Sequence, residues 1–105
     1  MYTPMPSFEL LRAHYGDNCW WCDQPIDFTL KPANPKSATR EHLQPIKRHR
    51  GTNELANLRI CHKHCNQHLA NHDRATKERM REALAHRRAV VARTPIGGRD
   101  VEVRG

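Results

Sequence analysis

The sequence predicts a small α+β domain held together by a metal ion and closed by a basic carboxy-terminal helix. Three observations predict it. A chain of 105 residues forms one domain and buries only a thin core, because small chains remove a modest share of their surface from water. Two groups of metal-ligand residues, Cys19-Trp-Trp-Cys22 and Cys61-His62-Lys63-His64-Cys65, stand where a staple is needed. From Asp73 to Arg93, Arg and Lys surround a narrow apolar stripe, the pattern of a helix with one buried side. A mean hydropathy of −0.88 and 6% aromatic residues lean toward disorder. Trp20 and Trp21, set directly between two cysteines, argue instead for a small metal-held core.

The elements follow in order. Ser7–His14 reads as a short helix, with Ser7 as its cap, Phe8, Leu10 and Leu11 as its apolar side and Gly16 as its stop. Cys22–Lys36 carries three prolines and reads as an irregular loop, with at most a short extended piece at Ile26–Leu30. Ser37–His42 reads as a strand. Leu43–Thr52, with Pro45, Gly51 and a run of basic side chains, is expected to be an exposed, positively charged loop. Asn53–Ala56 suits one helical turn, Leu58–Cys61 a second strand, and His62 onward a helix. Asp73 caps a second, longer helix that Thr94-Pro95 ends, with Met80, Ala83, Leu84 and Val91 on one side. The expected organisation is one domain over residues 1–93, with a core at 15–72 and the helix at about 73–93. Residues 94–105 read as a flexible tail.

The charge narrows the partners. Lys and Arg outnumber Asp and Glu by 18 to 11, the formal charge is +7 and the isoelectric point is about 9.8. The excess runs along nearly the whole chain, which favours DNA or RNA through counterion release. No apolar run reaches the roughly 18 residues of a membrane span, and no charged-then-apolar amino terminus marks a secretory signal. A cytoplasmic, reducing setting is therefore expected, in which cysteines at this spacing serve as zinc ligands rather than as two disulfides.

Cys19-x-x-Cys22 lets one tight turn aim two thiolates at a tetrahedral ion. For the second pair two choices compete. Cys61 with Cys65 gives CxxxC, whereas His62 with Cys65 gives HxxC, which repeats the gap of the first pair and is the more usual clamp at a helix start. The second is favoured, making the zinc set Cys19, Cys22, His62 and Cys65 and leaving Cys61 as a small buried side chain.

Between the two pairs stand Glu41-His42, Pro45, Gly51, Asn57-Leu58, His62-x-x-Cys65 and Asn66. In order and spacing these residues resemble the HNH endonuclease family, and the resemblance covers roughly Cys19 to Asn66. It implies a ββα-metal fold built around a treble-clef zinc knuckle, and its register also selects His62 over Cys61. It further implies that His42 is the general base, that Asn57 braces the loop orienting it, and that Glu41 and Asn66 hold a catalytic Mg²⁺ or similar divalent ion. Two metals are then expected. Cys65 and Asn66 are neighbours about 100° apart on a helix, which suffices to face separate sites. The chemistry needs those residue types: an imidazole titrating near neutrality can activate water, and a divalent ion on oxygen ligands can neutralise phosphate and leaving-group charge. Lys47, Arg48 and Arg50, with Arg74, Lys77, Arg79, Arg81, Arg87 and Arg88 on the long helix, are candidates for backbone contacts to double-stranded DNA. His68 is a candidate extra ligand, while His64, His72 and His86 read as surface residues.

Two departures stand out. The acid is Glu41 where the family more often has Asp, and Leu69-Ala70 follow where a basic residue and Gly are common. The resemblance thus implies a DNA endonuclease or nickase serving restriction, intron mobility or phage genome processing. A zinc-knuckle module that binds nucleic acid without cutting it is the alternative.

Overall fold

The computed structural model describes residues 4–93, apart from the side chains of Arg48 and Arg93. Among them the chain forms helix α1 (Phe8–Tyr15), strand β1 (Ala38–His42), the short helix α2 (Ile46–His49), a 3-10 turn (Leu55–Asn57), strand β2 (Leu58–His62), helix α3 (Lys63–Leu69) and helix α4 (Arg74–Arg93). This is a small α+β arrangement in which β1 and β2 pair antiparallel, Ala38 opposite His62 and His42 opposite Leu58. No helix among the described residues is long and apolar enough to cross a membrane. The expected tail at 94–105 lies outside the described residues.

Both long-range helices begin where local chemistry demands. Ser7 accepts a hydrogen bond from the Leu10 amide at 3.1 Å, and Gly16 ends α1 at φ +87°, a conformation that glycine adopts without steric cost. Asp73 accepts from the Thr76 amide at 2.9 Å, satisfying one of the orphan donors at the start of α4.

The core is thin and centred on β2. Leu58 and Ile60 are buried together with Leu11 of α1, Ile26 of the loop and Leu69 of α3, and Cys19, Cys61 and Cys65 complete the cluster. Phe8, Tyr15, Trp20, Trp21 and Met80 pack against it from the edges. Much of the buried volume is therefore sulfur, which ties the core to the metal-ligand residues.

Three segments differ from the sequence reading. Ile26–Leu30 is not extended. Asp27 turns the chain by accepting from the Thr29 amide at 2.9 Å and the Thr29 hydroxyl at 2.6 Å, so a side chain supplies the bonds that a strand partner would. Leu43–Thr52 is not an open loop either. Leu43 and Pro45 are buried, α2 occupies its middle, and Lys47 and Arg50 are the basic residues it exposes among those whose side chains are described. On α4 the inward residues are Lys77, Met80 and Leu84, whereas Ala83 is exposed and Val91 is 72% exposed.

The compactness of the 43–52 segment rests on Gly51. A Cβ there would lie 1.6 Å from the Gln44 carbonyl oxygen, a main-chain atom that cannot step aside as a side chain can. Gly51→Ala is expected to lower stability by at least about 1–3 kcal/mol, the usual cost of overpacking. Urea denaturation under saturating zinc checks this.

Candidate functional site

Two sites lie on opposite sides of the β2–α3 junction. The first is a group of side chains that could hold a metal ion. The ligand atoms of Cys19, Cys22, His62 and Cys65 all fall within 4.8 Å of one another. His62 Nδ1 is 3.4 Å from Cys22 Sγ and 3.9 Å from Cys65 Sγ, bracketing the edge of roughly 3.5–3.8 Å that tetrahedral zinc–sulfur and zinc–nitrogen bonds imply. His62 Nε2 sits 3.1 Å from the Pro25 carbonyl oxygen. That oxygen only accepts, so Nε2 carries the proton and Nδ1 directs its lone pair at the sulfurs, as ligating histidines are usually oriented.

Electrostatics call for a cation here. The Cys61 thiol, the largest influence on Cys19, donates to it and holds the Cys19 thiol down at about 4, against the opposition of burial. Burial, and then the charge of Cys19, push the Cys65 thiol up, and burial raises Cys22 as well. One thiolate forms readily and its neighbours then resist, because like charges this close in a partly dry site repel. A soft, thiolate-loving cation removes that conflict, and a Cys₃His donor set fits zinc. Cys61 is completely buried and sits beside the set as a hydrogen-bond donor to Cys19, not as one of the four atoms facing a common centre.

The local folding explains the convergence. The turn at 19–22 is closed by Asp23 N–H donating to Cys19 O at 2.9 Å, and Trp20 N–H donates to Ile60 O at 2.8 Å, laying the first pair beside β2. His62 ends β2 and caps α3, so strand and helix each deliver one ligand of the second pair. His64 stacks on His62 at 5.5 Å, its Nδ1 2.9 Å from the Pro35 oxygen, and it is exposed as expected.

The second site is a cavity of about 190 Å³ whose lining includes Glu41, His42, Lys47, Asn66 and Lys77. The sequence-predicted residues Glu41, His42 and Asn66 thus share one pocket. His42 Nε2 is 2.8 Å from Asn53 Oδ1; it is the donor of that bond, which leaves Nδ1 as the ring's basic nitrogen. The side-chain hydrogen bonds described for Asn57 go to Gln44 and Thr52, not to the His42 ring. The Asn57 amide accepts from Gln44 N at 2.8 Å and donates to Gln44 O at 3.0 Å and Thr52 O at 2.8 Å, tying together the segments on either side of the ring. Asn66 Nδ2 donates to Thr39 Oγ1 at 3.1 Å and Arg40 O at 3.2 Å, docking α3 on β1.

Glu41 and Lys77 are the pair that spacing did not suggest. Glu41 is 3% and Lys77 1% exposed; Lys77 Nζ lies 2.8 Å from Glu41 Oε2 and donates to the His42 carbonyl at 2.7 Å. Glu41 Oε2 makes no well-aligned hydrogen bond, so its contact with the ammonium is chiefly Coulombic. Burial raises the Glu41 carboxyl above its usual range, with Lys77 pulling the other way. Lys77 is therefore not a surface contact for DNA. Arg81 is likewise engaged, donating to Trp20 O. Lys47, Arg50, Arg79, Arg87 and Arg88 are exposed, Arg74 is half-buried and bonded to Glu78, and nothing is described of the Arg48 side chain. His68 lies 5.2 Å from the Trp21 ring and is not among the residues lining the cavity; His72 and His86 are exposed.

Sequence reasoning missed Asn53 and the role of Lys77. Asn53 sits in the Thr52-Asn53-Glu54 stretch, where nothing periodic marks it. A lysine on a mostly basic helix carries no sign that it points inward. Comparison with protein-family models, with curated proteins and with solved structures finds no match, so the functional reading stands on the geometry of these two sites.

The metal centre predicts its own test. The chain should bind one zinc ion, with His62→Ala losing it and Cys61→Ala keeping it, as measured by metal analysis of the purified proteins. Since structural zinc in small domains is worth about 10–16 kcal/mol, stripping it should abolish the cooperative thermal transition.

Proposed function

We propose that this chain is a DNA endonuclease or nickase of the HNH kind, in which a structural zinc shapes a ββα scaffold and His42 acts as the general base. The observation that carries the reading is the grouping of Glu41, His42 and Asn66 around one cavity, with the His42 ring held through Nε2 so that Nδ1 is available. The order β1, β2, α3, with a metal-ligand set at the β2–α3 junction, supports the fold that the resemblance implies.

Hydrolysis asks four things of such a pocket. Water attacks phosphorus as its proton passes to His42 Nδ1, the bond to the leaving 3′-oxygen breaks, and that oxygen takes a proton from solvent. An imidazole with a free ring nitrogen suits the first transfer. Asn53 fixes the ring that receives the proton. Asn57 fixes the two segments that carry His42 and Asn53, so it acts by position and not by contact with substrate. The exposed Lys47 and Arg50 beside the pocket suit the flanking phosphates of a duplex, contributing affinity without reading sequence.

The resemblance also gives Glu41 and Asn66 a divalent ion, Mg²⁺ or similar. The pair as arranged does not fit one. The carboxylate already faces a buried ammonium at 2.8 Å, which leaves the Asn66 amide oxygen, on a side chain whose nitrogen is anchored to β1, as a lone neutral ligand where such an ion takes several oxygens. The same pairing favours a second reading, a zinc-knuckle module that binds nucleic acid with a silent site.

Plasmid nicking separates the two. The protein should convert supercoiled DNA to the open-circular form, and His42→Ala should lower the rate by roughly 10²–10⁴-fold while zinc content and fold are retained. Cleavage by the variant at the wild-type rate would remove His42 from the mechanism. DNA binding without any cleavage would establish the second reading.

A further inference from the structure

We infer that Lys77 is the resident cation of the His42 pocket, taking the place beside Glu41 that a divalent ion would need. The inference deepens the nuclease reading and its catalytic consequence rests on it.

The geometry is specific. Lys77 closes the first turn of α4, its amide donating to the carbonyl of the capping Asp73 at 3.0 Å, and is 1% exposed. Its stem crosses the core so that Nζ reaches both Glu41 Oε2 at 2.8 Å and the carbonyl of His42 at 2.7 Å. An ammonium has three donors. The carbonyl engages one, the carboxylate lies against the ammonium as an ion pair, and the residue lines the cavity shared with His42 and Asn66. Glu41 offsets most of the ammonium's charge, and what remains for the cavity is donor capacity on a fixed ammonium. Bound there, a phosphodiester would meet a fixed cation next to the base, preorganised in a partly dry site where charge acts strongly.

A divalent ion on Glu41 would have to expel this ammonium or sit against it. Expulsion leaves a lysine buried in the core without its carboxylate, and such groups are rarely left unpaired. Close approach places like charges a few ångströms apart. Lys77 therefore excludes the ion and stands in its place beside Glu41. Arg40, which also lines the cavity, cannot do the same, because its guanidinium lies over the Phe8 ring and its Nε donates to Pro6 O at 2.8 Å.

The test reads metal binding apart from activity. Zinc-loaded wild-type protein is titrated with Mn²⁺ and free ion is followed by electron paramagnetic resonance. No binding is expected up to about 1 mM, the weak end for oxygen-ligand sites. Lys77→Met should gain binding at least tenfold, and Lys77→Met with Glu41→Gln should lose it again. Wild-type binding of Mn²⁺ below that concentration, abolished by Glu41→Gln alone, would overturn the inference; this measurement does not depend on how the Lys77 variant folds. In the plasmid assay, wild-type nicking should survive a chelator dose at which zinc analysis still finds the structural ion. Nicking only with added Mg²⁺ or Mn²⁺ would sink Lys77 as resident cation and leave the nuclease reading intact. Absence of nicking in every condition, with Mn²⁺ still excluded, would end the nuclease reading and leave the cation assignment standing.

Discussion

The structure depends on bringing three sulfurs and one imidazole nitrogen within 4.8 Å of one another. No apolar core of this size would gather such groups unaided, because only the first thiol ionises easily and each further charge opposes the next. A bound cation turns the same cluster from a cost into a cross-link. Such an ion would join the loop after α1 to the end of β2 and the start of α3, adding to the apolar cluster of Leu11, Leu58, Ile60 and Leu69 and to the Trp20–Ile60 main-chain bond. The small hydrophobic content of the chain and its sulfur-rich interior are two aspects of one solution to the problem of limited size.

What the metal centre does for one side of the β2–α3 junction, hydrogen-bonded side chains do for the other. Asn57 is 7% exposed and its amide is fully engaged with Gln44 and Thr52. Gly51 lets the chain pass against Gln44 where any side chain would collide. Gln44 in turn donates to His49 O at 2.9 Å and accepts from the Arg74 amide at 2.8 Å. Residues 43–57 are thereby a braced frame around His42, and α4 is attached to that frame at its first residue. The position of the imidazole is a property of this frame, since His42 itself stands at the end of its strand and makes one side-chain hydrogen bond, to Asn53.

Legibility in the sequence followed the range of the interactions. The two strands, the caps Ser7 and Asp73 and the four facing ligand residues were readable because spacing along the chain fixes them: a two-residue gap, a period, a polar residue before an apolar run. The choice of His62 over Cys61 was readable too, and the 4.8 Å grouping contains the histidine. The irregular course of Cys22–Lys36 was readable from its prolines, and the short extended piece allowed at Ile26–Leu30 does not form because Asp27 offers the backbone a closer partner. The 43–52 segment misled because its charge suggests solvent, while Leu43 and Pro45 anchor it from beneath. Lys77 was illegible for a deeper reason. Its partner lies thirty-six positions earlier, by the numbering of Glu41 and Lys77, and no local pattern distinguishes a lysine that turns inward from the solvated ones on either side.

The two sites are coupled through adjacent residues. Cys65 faces the metal centre and Asn66, next in α3, faces β1 and the cavity. Any rotation of α3 that moved Cys65 away from Cys19, Cys22 and His62 would withdraw the Asn66 amide from Thr39 and Arg40, and with it the contact that seats β1 against the helix. Glu41 and His42 are the next residues of that strand. The arrangement of the pocket is therefore subordinate to the metal centre: the cluster sets where α3 lies, α3 sets where β1 ends, and the end of β1 sets what Lys77 can reach. A change at Cys19, Cys22, His62 or Cys65 would reach His42 through the scaffold, since none of these four residues lines the cavity.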